Sequence, residues 1–280
     1  MRKPLASALP KRCCSRAREQ SSPKSMATES VVLVTRPEGQ AGPLLSALAR
    51  NGWRGVHQPL LLLRPVEVLP AAARQHVQNL DQYQHVIFIS ANAVRFGLEV
   101  IDNYWPQLPT GLNWYAIGDS TAALLRERGL CPLTPGQKMT SEGLLALPEL
   151  QQPEGDSVLL VKGVGGRQTL RDVLAERGAR VDQLACYQRR CPDLPAGRLA
   201  ELLQSQGVRA VLISSGEGLN NMLTLLSDKE TTKFRDINLI VPSDRVAGEA
   251  QEAGFSHVTT AANASDGAML EALLQRRVGE

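Results

Sequence analysis

The chain echoes itself at an interval of roughly 125 residues, and a repeat of that length restricts the fold to a duplicated supersecondary unit. In the first copy Val31-Val32-Leu33-Val34-Thr35 opens a strand, Leu44 to Arg50 forms a helix and Asn51-Gly52 ends it. In the second, Val158-Leu159-Leu160-Val161-Lys162 opens a strand, Leu170 to Arg177 forms a helix and Gly178 ends it. The correspondence continues with the runs His85 to Ser90 and Ala210 to Ser214, then Trp114 to Gly118 and Leu239 to Ser243, with helices ending at Gly129 and Gly254. Ser141-Glu142-Gly143 finally answers Ser265-Asp266-Gly267.

Short apolar runs alternating with longer helical patterns predict βα units and a parallel sheet in each half, an α/β class in duplicate. Aromatic residues make up only 4% of the chain, so the core is expected to consist of Leu, Val, Ile and Ala, as in sheets covered on both faces. The turn-rich stretch Gln151 to Asp156 separates the repeats in sequence, which leaves open where the domains divide in space. Pro59 to Val66 and Ala185 to Pro192 hold equivalent places in the two copies and read as crossovers.

Charge is unevenly placed. Residues 1–25 carry seven cations against Glu19 alone, a net +6, so with +3 for the whole chain the remainder holds −3. A mildly acidic body with few aromatics gives no footprint for nucleic acid, and the basic segment reads as a solvated, disordered tail over 1–29. Met26-Ala27-Thr28-Glu29 reads as the natural start, with 1–25 an upstream extension. The segment has no apolar run of signal-peptide length, and no stretch of the chain reaches membrane-spanning length, so a cytoplasmic protein without a membrane partner is expected. Cys131, Cys186 and Cys191 show no CxxC spacing and read as reduced thiols. The four histidines are scattered and read as surface or boundary residues; no metal site is expected.

Ligands of open parallel sheets bind beyond the carboxyl ends of the strands, so the residues just after each strand are the candidates for chemistry. In the first half these are Thr35-Arg36-Pro37, Ser90-Ala91-Asn92 and Gly118-Asp119-Ser120-Thr121. In the second they are Lys162-Gly163-Val164-Gly165-Gly166-Arg167, Ser214-Ser215-Gly216 and Pro242-Ser243-Asp244-Arg245. Each loop leads into a helix, where free backbone N–H groups and short hydroxyls receive carboxylates or phosphates. Singly, Ser90, Asn92, Thr121, Ser214 and Ser215 are also ordinary capping or turn residues. Six such loops sharing Arg36, Lys162, Arg167 and Arg245 favour anion binding. The glycine loop lacks the third glycine of a dinucleotide fingerprint, where Gln168 stands, and no phosphate-binding GxxxxGK[ST], GxSxG elbow or Cys-His pair is present. These residues also suit a two-domain anion-binding module that closes without chemistry.

The stretches VVLVTRP (Val31 to Pro37), FISANAV (Phe88 to Val94), AIGDSTAALL (Ala116 to Leu125), SEGLLALPEL (Ser141 to Leu150) and VKGVGGRQTL (Val161 to Leu170) are similar to those of the uroporphyrinogen-III synthases. With the segment around Tyr187, Ile213 to Asn221 and Val241 to Ala247, the resemblance covers about residues 31 to 275. It implies two flavodoxin-like parallel-sheet domains joined by a two-stranded linker, with the active site in the cleft between them. One domain would combine residues 30–63 and 190–280, the other 64–189 including the linker strands. The implied substrate is hydroxymethylbilane, with eight carboxylates, and the implied reaction closes it with inversion of ring D and loss of water. No cofactor is implied, which suits a reaction governed by positioning rather than by a nucleophile. Tyr187 matches the tyrosine that assists the departing hydroxyl, and Thr121 a threonine of the cleft. Ser120, Gly163, Gly166, Ser243 and the other strand-end residues named here complete the expected substrate site, although Asp244-Arg245-Val246 departs from a threonine-rich pattern. A monomer is expected, with the preceding bilane-forming enzyme as a candidate partner in handing over substrate.

Overall fold

The structure is a computed structural model describing residues 30–277, so the tail expected over 1–29 lies outside the described residues. The first repeat runs β1 (Val31–Val34), α1 (Gly42–Arg50), β2 (Arg54–His57), β3 (Leu62–Pro65), α2 (Ala71–Gln78) and β4 (His85–Phe88). It continues with α3 (Ala91–Asp102), β5 (Asn113–Ala116), α4 (Asp119–Glu127) and α5 (Ser141–Leu145). The second runs β6 (Ser157–Gly163), α6 (Thr169–Glu176), β7 (Arg180–Arg190), α7 (Arg198–Ser205), β8 (Val208–Leu212) and α8 (Gly216–Leu225). It ends with α9 (Asp228–Lys233), β9 (Asn238–Val241), α10 (Asp244–Glu252), β10 (Val258–Thr260) and α11 (Asp266–Arg277).

The strands form two five-stranded sheets that trade parts between the repeats. One sheet has the order β10-β9-β8-β1-β2 and the other β3-β7-β6-β4-β5. Each takes its first two parallel strands from one repeat and the later strands from the other. In the second sheet the place of β10 is filled by Leu133, which bridges Tyr115 in parallel beyond β5. The two sheets therefore have the same strand order, 2-1-3-4-5 in terms of the repeat unit, which is that of flavodoxin-like folds.

All pairings are parallel except β3 with β7. There Leu63 faces Arg189, and these residues are also each other's counterparts at the repeat interval, so a pseudo-two-fold axis passes through that pair. The crossovers expected from the sequence are this antiparallel ladder. β7 continues straight from its parallel pairing with β6 into the ladder, whereas in the first repeat β2 and β3 are separate strands.

The inner strands are buried on both sides because helices cover both. Val31 and Leu33 face a cluster with α7, α8 and α10, while Val32 and Val34 face α1 and α11. In the other sheet Val86, Phe88, Leu159 and Val161 pack under α2, α3 and α4, and Ile87, Val158 and Leu160 under α5 and α6. Burying each such side chain stabilises by about 1.5–3 kcal/mol, and the resulting layers hold the strand ends in place.

His85 departs from the sequence expectation. It is buried at the start of β4, where Nδ1 lies 2.9 Å from the Tyr115 hydroxyl and Nε2 lies 3.0 Å from Asp156. Periodicity predicts an exposed residue at a strand end, but a carboxylate and a phenol supply the partners that allow the imidazole inside.

Candidate active site

The carboxyl ends of β4, β5, β6 and β7 open into a cavity of about 490 Å³. Its apolar wall is Ile89, Ile117, Leu160 and Leu170, and its cations are Lys162, Arg167, Arg171 and Arg189. Among the described residues no aspartate or glutamate lines it. The β6–α6 loop forms one lip, and Gly165 and Gly166 turn it with φ of 75° and 83°, a backbone that side-chain-bearing residues rarely adopt. Met139, Thr140 and Ser141, at the start of α5, form another.

Tyr187 reaches this cavity through a local irregularity. Lys162 pairs with Ala185 and Gly163 with Tyr187, so Cys186 is an extra residue on β7, and a bulge of this kind re-aims the side chains beyond it. The Tyr187 ring lies over Gly163: a Cβ there would stand 2.7 Å from the tyrosine Cζ. Phe96 stacks on its other side at 5.3 Å between ring centroids. The Tyr187 hydroxyl is 3.3 Å from Ser90 Oγ, and Ser90 also caps α3 by accepting from the Ala93 N–H at 3.0 Å. Of the roles considered for Ser90, the cap is formed, and the same hydroxyl also touches Tyr187.

Lys162 lies on the α6 side of β6 and is only 4% exposed. Burial and, secondarily, the charge of Arg171 hold its ammonium below the ordinary lysine range. Gly163, Gly166, Arg167 and Tyr187, all expected from the sequence, line the same cavity.

The remaining expected residues stand elsewhere. Thr35 is buried and donates to the Leu212 carbonyl at 2.7 Å, tying β1 to β8. The Arg36 guanidinium bonds the Ala264 carbonyl and, at 2.6 Å, the Asp266 carboxylate of α11. Arg245 pairs with Glu249 along α10, and Ser215 caps α8 by accepting from Gly218. Ser214 precedes that cap half-buried, and Ser243 begins α10 without a side-chain cap bond. Ser120 is exposed in the first turn of α4 and Thr121 is buried beside it. Thr121 is the third helical residue after the Gly118 cap, so it does not cap its own helix.

Among the described residues, two polar side-chain contacts join the sheets across the cleft. Gln40 Nε2, beyond β1, donates to Asn92 Oδ1 on α3 at 3.0 Å, and Arg189 pairs with Glu217 of α8 at 3.2 Å. Asn92 also borders a smaller groove of about 270 Å³ with Gln40, Arg64 and Arg95.

Sequence reading did not single out Phe96, Arg171 or Arg189. Two-residue alternation along β7 places 189 on the side of 187 and could have found Arg189; Arg171 comes one residue after the apolar Leu170 that lines the cavity. Phe96 gives no such signal, because its partner lies 91 residues away.

Fold and site together define a duplicated α/β protein with a cavity at its strand ends lined by Lys162, Arg167, Arg171 and Arg189. A family model described as "Uroporphyrinogen-III synthase HemD" matches residues 43–271. The uroporphyrinogen-III synthase of Escherichia coli K12 is 35% identical over 247 residues, 86% of this chain and 99% of that protein. That of Salmonella typhimurium LT2 is 33% identical over 248 residues, covering 86% and 99%. Among solved structures, a mutant uroporphyrinogen III synthase from the extremely thermophilic bacterium Thermus thermophilus superposes with a TM-score of 0.57 at 21% identity, covering 90% of this chain and 100% of that one. The Helicobacter pylori 26695 uroporphyrinogen-III synthetase gives 0.54 at 16% identity, covering 89% and 99%; both likenesses are of fold. The chain belongs to the uroporphyrinogen-III synthase family.

Proposed function

We propose that this protein is a cofactor-independent lyase that converts hydroxymethylbilane to uroporphyrinogen III, acting as a cytoplasmic monomer in tetrapyrrole biosynthesis. Besides family membership, the observation that carries this reading is the cavity holding four cations and no lining carboxylate, with a tyrosine on its wall.

The first step breaks the C–O bond of the hydroxymethyl group. Tyr187 donates toward the departing oxygen while the pyrrole N–H of the same ring gives up its proton, so water leaves and an electrophilic azafulvene remains. The phenol hydroxyl is a hydrogen-bond donor, and the ring's contacts with Gly163 and Phe96 fix its direction. The substituted α-carbon of ring D then attacks the azafulvene methylene, forming a spiro centre. The bond from that α-carbon to the ring C methylene breaks, leaving a second azafulvene. Its methylene bonds the free α-carbon of ring D, which loses its proton, and ring D is inverted. Lys162 and the cavity arginines hold carboxylates so that attack at the substituted carbon is closer than direct closure. Ser90, Asn92, Ser120, Ser214, Ser215, Ser243, Arg36 and Arg245 belong to the proposed cleft surface around the other carboxylates, with Thr35 and Thr121 buried behind it.

Mixing the protein with freshly made hydroxymethylbilane and resolving the isomers tests the reading. Isomer III should dominate. Isomer I, the product of unassisted closure, would identify an anion-binding module instead.

A further inference from the structure

A lysine this enclosed, with its ammonium opening onto a cavity, needs a reason. Lys162 lies on the floor of the cavity, and among the described residues no carboxylate stands within ion-pair distance of it. An uncompensated charge in that position destabilises the folded chain, and Arg171 nearby adds a like charge. An anion entering the cavity would relieve both effects. The walls specify the rest of the ligand: Ile89, Ile117, Leu160 and Leu170 offer apolar surface for a flat ring, and Arg167 lines the same cavity for a second acid, whereas Arg171 is already paired with Asp172 at 2.6 Å. A volume of about 490 Å³ lies toward the small end of small-molecule sites, which is room for one pyrrole with two short acid arms and less than four linked ones fill.

We propose that this cavity is a receptor for a single dicarboxylate pyrrole, the substrate ring that carries the leaving hydroxyl, with Lys162 anchoring its innermost carboxylate. The choice of ring rests on the proposed cyclisation, because Tyr187 lines the same cavity. The remaining three rings would then lie outside it, toward Gln40, Asn92 and α8 of the other sheet.

The test uses a free monopyrrole bearing one acetic and one propionic acid arm, titrated into the whole protein by calorimetry. One molecule should bind, and Lys162→Met should weaken it about 10- to 100-fold, the worth of a charge-assisted hydrogen bond. Lys229→Met, on exposed α9, should leave it unchanged. Equal affinity of wild type and Lys162→Met would overturn the proposal, as would a wild-type protein that makes isomer III but does not bind the monopyrrole. Failure to make isomer III would instead strike at the proposed cyclisation itself. If Lys162→Met does not fold, amine acylation of the wild type with mass-spectrometric readout decides. The monopyrrole should slow modification of Lys162 by about tenfold or more, and an unchanged rate would refute the assignment.

Discussion

Tyr187 and Lys162 enter one cavity from neighbouring strands, and they differ in what they should do to the kinetics. A hydroxyl that helps only in the transition state lowers turnover when removed and leaves substrate binding almost unchanged. Tyr187→Phe keeps the stack on Phe96 and should lower kcat by about 10²- to 10⁴-fold, with KM nearly constant and isomer III still dominant. A loss below about threefold would return Tyr187 to a packing role. Lys162→Met acts in the ground state, so its chief kinetic effect should be on KM. It also removes a costly buried charge, so the unliganded variant should melt higher than wild type by a few degrees in calorimetry. A lower melting point would mean that the ammonium has a partner in the resting protein.

At the scale of elements, β7 does two jobs, and Cys186 marks the division. Its thiol sits at the bulge and donates to the Lys162 carbonyl at 3.3 Å, and burial pushes its pKa up to about 12 from 9.0. The unfolded chain ionises first, so stability is full below about pH 9 and falls as pH rises toward 12. Between about pH 9 and 10 the loss due to this thiol should be about 1 kcal/mol, with a smaller share added by the tyrosines. Cys186→Ser, whose hydroxyl does not titrate there, should flatten that segment of a denaturation series whatever its effect on absolute stability. β7 also bears on the domains, which we propose are 30–63 with 190–280 and the inserted 64–189. A fragment of residues 61–192 should fold cooperatively, because it holds β3 to β7, whereas residues 66–192 should be weaker for want of the β3 edge. Equal folding of two monomeric pieces cut at Gln152 would show the sequence repeats to be the domains.

Much of this scale is legible in the sequence and some is not. The repeat, the strand runs and their parallel class come from apolar patterning, since both faces of each strand are covered. The exchange of strands between sheets does not: β2 with a turn and then β3 reads the same whether the chain returns to its own sheet or leaves it, and only the family resemblance pointed to the crossing. The strand-end rule found the β6–α6 loop and Lys162. It could not tell which cations are already engaged, because Arg36 meets Asp266 and Arg245 meets Glu249 only in the folded chain. Nor does local pattern show the bulge that brings Tyr187 over Gly163.

Across the whole molecule, charge should govern capture of the substrate. Several carboxylates meeting cations at a partly open cleft are screened by salt, so KM should rise between low and physiological ionic strength while kcat changes little. A KM independent of salt would count against the cationic receptor. The link between Arg189 and Glu217 is exposed and weak by itself, yet it competes for a cation that lines the cavity, so a substrate carboxylate taking Arg189 would loosen one of the two side-chain ties across the cleft.

The pseudo-two-fold axis through Leu63 and Arg189 also says what half of this chain could be. Residues 30–152 alone contain the first two strands of one sheet and the continuing strands of the other, so a lone copy completes neither. Two copies would complete both, each supplying β1 and β2 to one sheet and β4 and β5 to the other, with their β3 strands pairing across the axis. A half-length protein of this type should therefore fold only as an exchanged homodimer, in which Gln151 to Asp156 would mark the place where the full chain joins its two copies; a folded monomer of residues 30–152 by sedimentation would contradict this.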